Sequence, residues 1–514
     1  MHNSDAQSAV ASAPPRGPVT GGPLRHRGLA LGLILLGQLL VVIDGSIVTL
    51  ALPAVQRDLG FSPAGLQWVI SAYALAFGGF LLLGGRLVDL LGGRGVLMGG
   101  AGVFTTASLA CGLAGSPGVL VAARAAEGLG AAMIAPAAMS LIVAMFPEGP
   151  ERNKALGAMG AVGGAGAAVG VLAGGMLTTW LSWPWIFFIN LPVGALVLAA
   201  GRRLLPESRA GWGHRRFDLA GAVTVTAGLS LLVYAVVTVA SHGWASATTI
   251  GLLAGAAALL AAFVVTEARS AAPLLPLGFF GNRAAMAANL AGLLLGGVMS
   301  PTFVFLSLYM QQVLGYSPVR ASLAFLVTPL GLIVSSGLGQ RLVTRIGARL
   351  VLTAGMLGFA TAQALFIRLP ATGGYTTHLL PGFIIVAAAL GLAFVADVIA
   401  SATGVKAAEA GLASGLVNAS QQTGGAIGLA ITATIAANRT TAALHAGHTH
   451  AVALTGGYHD AFAIAGGLAI ATAITAATLL RHPGRRRRST VRSRTWSGRA
   501  RTGRDDESRY LYDN

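Results

Sequence analysis

The sequence predicts an all-α integral membrane protein, and three observations support this prediction. Of the 514 residues, 54% are hydrophobic and only 10% are charged, less than half of the roughly 25% charged residues in an ordinary soluble domain. Apolar stretches of about 20 residues, enough for an α-helix to cross a bilayer, recur along nearly the whole chain. Pro, Gly and charged residues separate these stretches. The composition therefore excludes a soluble or extracellular globular protein.

Windows of about 19 residues predict fourteen transmembrane helices. Their limits are 29–52, 66–85, 95–114, 118–140, 155–178, 184–204, 217–240, 247–267, 285–310, 322–340, 348–368, 378–402, 413–437 and 459–480. Residues 1–28 are too polar and too rich in Pro, Gly and Ser to bury a core, so we expect a flexible cytoplasmic tail there. Residues 481–514 form a second, basic tail.

The distribution of Lys and Arg predicts that both termini lie in the cytoplasm. With the amino terminus inside, 29 of the 34 Lys and Arg residues fall in cytoplasmic loops and tails, 4 fall in outer loops, and Arg124 lies within a span. This bias is typical of a multi-pass protein, here expected in the plasma (inner) membrane. The run Arg485–Arg488 is predicted to bind anionic lipids of the inner leaflet, and nucleic acid is not an expected partner.

An internal repeat relates two parts of the chain. The stretch Gly84–Arg94 aligns with Gly339–Arg349 at an offset of 255 residues, and each follows the second helix of a six-helix set. We therefore expect two six-helix bundles, 29–204 and 285–480, joined by a linker at 205–284 that holds helices 7 and 8. Two related bundles are typical of secondary transporters.

Three ionisable residues in the first bundle are candidates for proton coupling. Such groups cost about 2.5–3.5 kcal/mol each at the centre of a membrane helix, so those present are functional candidates. Asp44 in helix 1 and Arg124 in helix 4 both fall in the outer half of the membrane and could pair. Glu127 is one helical turn from Arg124 and could neutralise it. Each contact is either a fixed structural pair or part of a proton relay, and Glu127 has a third possible role in contacting a cationic substrate.

Further polar residues are candidates for a substrate or proton pathway. Asp397 is a lone acid in helix 12, which either contacts substrate or protons or lines a water-filled vestibule. Asn418, Gln421 and Gln422 interleave with glycines in helix 13, and Gln311 follows helix 9. All five side chains offer hydrogen-bonding groups inside an otherwise apolar bundle.

Small residues recur in helix 5 at spacings of three or four, which lets helix backbones approach closely. The main positions are Gly166, Gly170, Gly174 and Gly175. They form either a packing face or a hinge used during a conformational change. Trp180, Trp183 and Trp185 follow at the predicted outer boundary and are expected to form an interfacial belt.

Metal and redox chemistry are not expected. Cys111 is the single cysteine and lies in an apolar stretch, which excludes an intrachain disulfide. His445, His448 and His450 lack a carboxylate or a cysteine at ligand-like spacing. We predict no metal site and no cofactor.

Four motifs together resemble a known family over residues 29–480. They are the stretch Asp44–Pro53 in helix 1; Gly85, Asp89, Gly92 and Arg94 in the loop after helix 2; Arg124–Gly128 in helix 4; and Gly170–Gly175 in helix 5. This set resembles the fourteen-span drug:proton antiporter branch of the major facilitator superfamily. Glu127 stands where the family usually has glutamine, and Val171 stands where antiporters have proline.

The resemblance implies proton-coupled export of small amphiphilic or cationic drugs or antibiotics, with Asp44, Arg124 and Glu127 in proton coupling and the Gly85–Arg94 motif at an inner gate. No Gly-x-x-x-x-Gly-Lys-Ser/Thr motif is present in the sequence, which agrees with an ion gradient as the energy source. An exporter of an amino acid, a siderophore or an endogenous metabolite is the alternative. A membrane enzyme or a sensor is a remote one, because the loops are short and hold no cluster of catalytic residues.

Overall fold

The computed structural model describes residues 24–63, 65–146, 149–206, 219–270, 283–401 and 410–480, and the regular structure in these ranges is helical. The amino-terminal half contains α1 (Leu24–Leu59), α2 (Trp68–Leu91), α3 (Gly93–Gly112), α4 (Pro117–Met145), α5 (Pro150–Trp180), α6 (Trp185–Phe188) and α7 (Asn190–Leu204). The connector contains α8 (Leu219–His242) and α9 (Ala247–Arg269). The carboxy-terminal half contains α10 (Arg283–Leu308), α11 (Pro318–Phe325), α12 (Val327–Ile346), α13 (Ala348–Phe366), α14 (Leu380–Ser401), α15 (Ala410–His445) and α16 (His450–Leu479), with π-helical turns at Tyr309–Val313 and Tyr375–Leu379.

The protein is a multi-pass helical membrane protein, as the sequence predicts. Each predicted span lies on one of these helices or on a consecutive pair. Within the described ranges, eleven helical stretches are long and apolar enough to cross a membrane, while α2 and α8 contribute shorter apolar stretches, Trp68–Leu81 and Val223–Val236. Several helices extend past the predicted limits; α1 begins at Leu24, inside the predicted tail, and continues through Pro53. Hydropathy detects only the apolar part of a helix, so its polar ends are missed.

The 255-residue offset appears again in the helix order. Adding it to α2, α3 and α4 gives ranges that fall on α12, α13 and α14. Gly92 ends α2 with φ 82° and ψ 150°, and Gly347 ends α12 with φ 88° and ψ 154°. A positive φ suits glycine, because it has no Cβ to clash with the backbone. The two tight turns are therefore built alike in both halves.

The two halves contact each other at the end where α1, α5 and α10 finish. At the closed end, defined by Gln56, Thr179 and Gln312, Gln312 Nε2 donates to Gln56 Oε1 at 2.9 Å, and the Val319 amide donates to Thr179 Oγ1 at 3.3 Å. The opposite end, which we call the turn end, is defined by the turns at Gly92 and Gly347. A Cβ added at Gly157, Gly160 or Gly163, in the part of α5 near this end, would have no neighbouring atom within 4 Å.

The connector helix α8 packs over the seam between the halves. Its Val233 and Val236 share a hydrophobic cluster with Ala74 and Leu75 of α2 and with Ala430 of α15. One helix from the connector therefore contacts both halves at once. The helix α9 packs behind it, where Gly228 of α8 allows close approach of Leu260.

Candidate proton-coupling site

A buried ionic cluster joins two helices of the amino-terminal half. Arg124 Nη1 in α4 donates to Asp44 Oδ2 in α1 at 2.6 Å and to Glu127 Oε2 at 2.6 Å. The exposed fraction of these residues is 1% or less. Asp44, Arg124 and Glu127 are the three residues singled out from the sequence, and the fold brings them into direct contact.

Glu127 is held by more donors than Asp44. Its Oε1 accepts a short hydrogen bond from Ser108 Oγ, and its Oε2 accepts one from Cys111 Sγ at 3.3 Å as well as the bond from Arg124. Asn190 Nδ2 of α7 donates to Ser108 Oγ at 3.2 Å and extends this network. By contrast, Asp44 Oδ1 is buried and has no hydrogen-bond partner among the described residues. Donors stabilise a carboxylate, so the two acids are in unequal environments.

Ser108, Cys111 and Asn190 are parts of this site that the sequence analysis did not assign to it. Ser108 and Cys111 are three residues apart and so lie on one face of α3. Their polar atoms are buried, and a buried polar atom ordinarily requires a partner. A hydroxyl and a thiol one turn apart in an apolar span indicate a polar contact with another helix, but the sequence does not reveal which helix they face.

Aromatic and backbone groups complete the surroundings of Arg124. Its Nε donates to the Val69 carbonyl at 2.9 Å, and its guanidinium lies 4.4 Å from the centre of the Tyr73 ring and 5.7 Å from that of Phe187. Aromatic faces attract a cation, most strongly where water is excluded. With both acids ionised the cluster carries one excess negative charge, and one bound proton makes it neutral.

A cavity of about 220 Å³ lies between the halves on the other side of α1. Its walls come from α1 and α5 of one half and from α10, α11, α12 and α14 of the other. Gly45 and Thr49 line it from α1, Val171 from α5, and Phe303 and Thr328 from the opposite half. The cavity is thus shared between the two related bundles, where secondary transporters bind substrate.

Two hydrogen bonds close this cavity towards the closed end; we call them the α1–α10 contact. Ser307 Oγ donates to the Thr49 carbonyl at 2.9 Å, and Gln311 Nε2 donates to the Leu50 carbonyl at 3.1 Å. Pro53 explains why the Thr49 carbonyl is available, because proline has no N–H to donate to the residue four positions earlier. Gln311, predicted on a transport pathway, therefore lies at the contact between the halves.

The other predicted pathway residues lie within the carboxy-terminal half or at its edge. Asp397 is fully buried, with Oδ2 accepting from Gln421 Nε2 at 3.0 Å and Oδ1 unpartnered among the described residues. Gln422 lies where α15 meets Gly78 of α2, and Asn418 is exposed. These residues do not join the cluster around Arg124.

The predicted inner-gate motif lies at the turn end. Gly85 faces open space, Gly92 forms the turn, and Arg94 is half-buried in the first turn of α3. The side chain of Asp89 lies outside the described part of the chain.

The helix 5 glycines pack directly against neighbouring helices. A Cβ at Gly170 would lie 2.9 Å from the Ile43 carbonyl, and one at Gly174 would lie 2.6 Å from the Ile47 carbonyl, both in α1. Gly166 faces Leu39 of α1, and Gly175 faces α11 in the other half. The Trp belt is only partly as predicted: Trp180 and Trp185 are exposed, but Trp183 is buried because its Nε1 donates to Asp58 Oδ2 at 2.6 Å.

Two related helical bundles with a shared cavity define a secondary-transporter architecture. The family model described as Major Facilitator Superfamily matches residues 34–429 and 288–502. The chain therefore belongs to the major facilitator superfamily.

Two similar relatives within this family are named for antibiotics. The chain is 42% identical to the puromycin resistance protein pur8 of Streptomyces alboniger over 85% of this chain and 87% of the relative. It is 43% identical to the cephamycin export protein CmcT of Amycolatopsis lactamdurans over 80% and 85%, respectively. Among solved structures, the nucleoside transporter NupG has a TM-score of 0.63 at 14% identity, covering 88% of this chain and all of that chain, and supports the fold alone.

Proposed function

We propose that the protein is a proton-coupled exporter of small amphiphilic drugs or antibiotics that works by alternating access. The observation that carries the proposal is the buried cluster of two acids and one arginine beside the cavity between the halves. The relatives named for antibiotic resistance or export support this cargo class. Export of an endogenous antibiotic is one case of the same function.

Asp44 is the proposed proton carrier. Its single bond to Arg124 and its unpartnered Oδ1 leave room for a proton, whereas Glu127 is stabilised as a carboxylate by three donors. When Asp44 is ionised it binds Arg124; when it takes up a proton that pair weakens and α1 is free to shift against α4. Because α1 also lines the cavity, loading of Asp44 is coupled to the cargo site.

The proposed topology has fourteen spans, two six-helix bundles and a two-helix connector, with both termini in the cytoplasm. Asp89 and Arg94 are proposed inner-gate residues and Asp397 a second polar site. In this topology the turn end faces the cytoplasm. The arginine-rich tail at 481–514, which lies outside the described residues, is proposed to bind anionic lipids. No cofactor, metal or nucleic acid has a part in this proposal.

The test is transport in proteoliposomes that carry a pH-sensitive dye in the lumen. A panel including puromycin, lincomycin and tetracenomycin C is added across an imposed pH gradient, and cargo-dependent proton movement is expected. Asp44→Asn should abolish proton movement while the protein still inserts and folds. Asp460→Asn is the matched control, because that exposed acid lies 3.9 Å from Arg439 and outside the cluster. Equal transport with the pH difference and voltage both collapsed would contradict the proposal.

A further inference from the structure

The cavity between the halves has an uncharged wall. None of the thirteen residues that line it is an acid or a base. Two aromatic rings at this wall, Phe303 and Phe325, have centres 6.2 Å apart, and Leu332 lies beside them. Moving an ammonium group out of water without an opposite charge is strongly unfavourable. The wall is therefore suited to apolar and hydrogen-bonding surface.

The acid nearest to the cavity along the chain faces away from it. Gly45, Ser46, Thr49 and Leu50 line the cavity and lie about 100° to 240° around α1 from Asp44, at about 100° per residue. Asp44 is fully buried on the opposite side, against Arg124. The backbone of a helix about 10 Å across thus separates the carboxylate from the cavity.

A hydroxyl in the same wall lacks a partner. Thr328 lines the cavity, is 4% exposed, and its Oγ1 has no hydrogen-bond partner among the described residues. Buried hydroxyls ordinarily have one. The oxygen itself is inaccessible in this arrangement, so rotation of the Thr328 side chain towards the cavity is needed before a donor or acceptor on a bound molecule can satisfy it.

We propose that the cavity binds its cargo as an uncharged amphiphile, with an apolar body against Phe303 and Phe325 and a polar group at Thr328. The proposal rests on the export function and narrows its cargo class. The cavity excludes molecules with a permanent positive charge, because the cluster that could balance that charge is sealed behind α1. Asp44 then binds only the proton, and movement of α1 couples proton binding to cargo binding.

The test uses two dyes that differ by one methyl group and one charge, a dimethylaminostyryl-pyridine and its N-methylpyridinium salt. Binding to the full chain in nanodiscs is measured by fluorescence above the pH at which the pyridine protonates. The uncharged dye should bind at least tenfold more tightly than the salt. Equal or tighter binding of the salt would overturn the proposal, and so would failure of both dyes to bind.

Two variants locate the binding and the charge selectivity. Leu332→Trp should fill the cavity and abolish binding of the uncharged dye, whereas Ile474→Trp, at a position that is 57% exposed on α16, should leave it unchanged. Thr328→Asp should reverse the preference by placing a carboxylate in the wall. Unchanged preference in Thr328→Asp would overturn the assignment to this cavity.

The outcomes separate this inference from the export function. If the salt binds tightly and moves in exchange for protons, the inference fails and the export function stands. If no antibiotic of the panel causes proton movement through the protein, the export function fails, whichever dye the cavity binds more tightly.

Discussion

The two halves share a backbone plan but bury opposite chemistry at equivalent positions. At the 255-residue offset, Arg124 corresponds to Leu379, Glu127 to Gly382 and Cys111 to Phe366. Where the Cys111 thiol donates to Glu127 in one half, the Phe366 ring packs over Gly382 in the other. That ring belongs to an aromatic cluster, with centres 5.4 Å from Phe462 and 6.2 Å from Phe383. At these equivalent positions the repeated fold thus carries an ionic cluster in one half and aromatic packing in the other, while the buried acid of the carboxy-terminal half, Asp397, lies elsewhere, beside Gln421.

This difference indicates that the two halves have different roles in transport. An apolar core has one preferred packing, and its contacts do not change with proton concentration. An ionic core of two acids and one base changes its net charge when a proton binds, so its packing has two states. We infer that the cluster around Arg124 makes the amino-terminal half the responsive half, and that the aromatic core around Phe366 provides a rigid surface against which it moves; Asp397 lies outside that aromatic core.

Arg124→Leu should have the largest effect. It leaves two carboxyls buried without a counter-charge, and breaking a buried ion pair in this way costs about 3–5 kcal/mol. The expected result is a large fall in thermal stability of the purified protein. Asp44→Asn/Glu127→Gln added to Arg124→Leu should restore much of it, because no charge then remains in the cluster. Arg439→Leu, which removes an exposed pair, is the control and should change little. Unchanged stability in Arg124→Leu would contradict the ionic-core description.

Phe366→Ala tests the apolar half. Phe366 is fully buried, and removing such a ring costs about 3–5 kcal/mol in soluble proteins; we expect about 3 kcal/mol here, since the lipid reference is already apolar. Stability should fall, yet the protons moved per cargo molecule should not change. The measurement pairs a thermal melt with the proteoliposome pH assay. A changed proton ratio in Phe366→Ala would show that both halves take part in coupling.

The sequence predicted much of this comparison and could not predict the rest. Hydropathy and the 255-residue repeat placed the helices, because these signals are local. The free-energy cost of an ion in a membrane helix identified Asp44, Arg124 and Glu127 as candidates, because this signal is also local. Which helix faces Ser108 and Cys111, and the direction of the cavity relative to Asp44, depend on helix rotation and packing between distant segments. The burial of Trp183 has a similar origin, since its partner Asp58 lies 125 residues away.

Glu127→Gln distinguishes the two acids of the cluster. Glutamine can place its oxygen where Oε2 lies, to accept from Arg124 and Cys111, and its amide N–H can donate to Ser108 Oγ, so we expect a stability change below about 1.5 kcal/mol. Proton-coupled transport should persist, because Asp44 still carries the proton. Comparing proton movement per cargo in Glu127→Gln and Asp44→Asn measures this directly. Loss of coupling in Glu127→Gln with coupling kept in Asp44→Asn would exchange the roles of the two acids.

Variants of the α1–α10 contact should have the smallest effect. They test whether the amino-terminal half is restrained by the carboxy-terminal half. Ser307→Ala and Gln311→Leu each remove one hydrogen bond between the halves, worth about 1 kcal/mol or roughly a fivefold change in population. Pro53→Ala should act in the same direction, because the backbone N–H that alanine introduces can donate to the Thr49 carbonyl within α1 and compete with Ser307.

Opening of the closed end can be measured with a cysteine in the cavity. In the proposed topology the closed end faces outwards, so Met299→Cys in a Cys111→Ser background is labelled with a membrane-impermeant maleimide added outside intact cells. Each variant should label faster, and Ser307→Ala/Gln311→Leu together should label fastest. Thr478→Val is the control, since its exposed hydroxyl donates to the Ile474 carbonyl of its own helix at 2.7 Å. If the labelling rates match that of the control, the α1–α10 contact does not hold the closed end, and the restraint comes from the other contacts there, which are the Gln312–Gln56 hydrogen bond and the packing of α5 on α11 through Gly175.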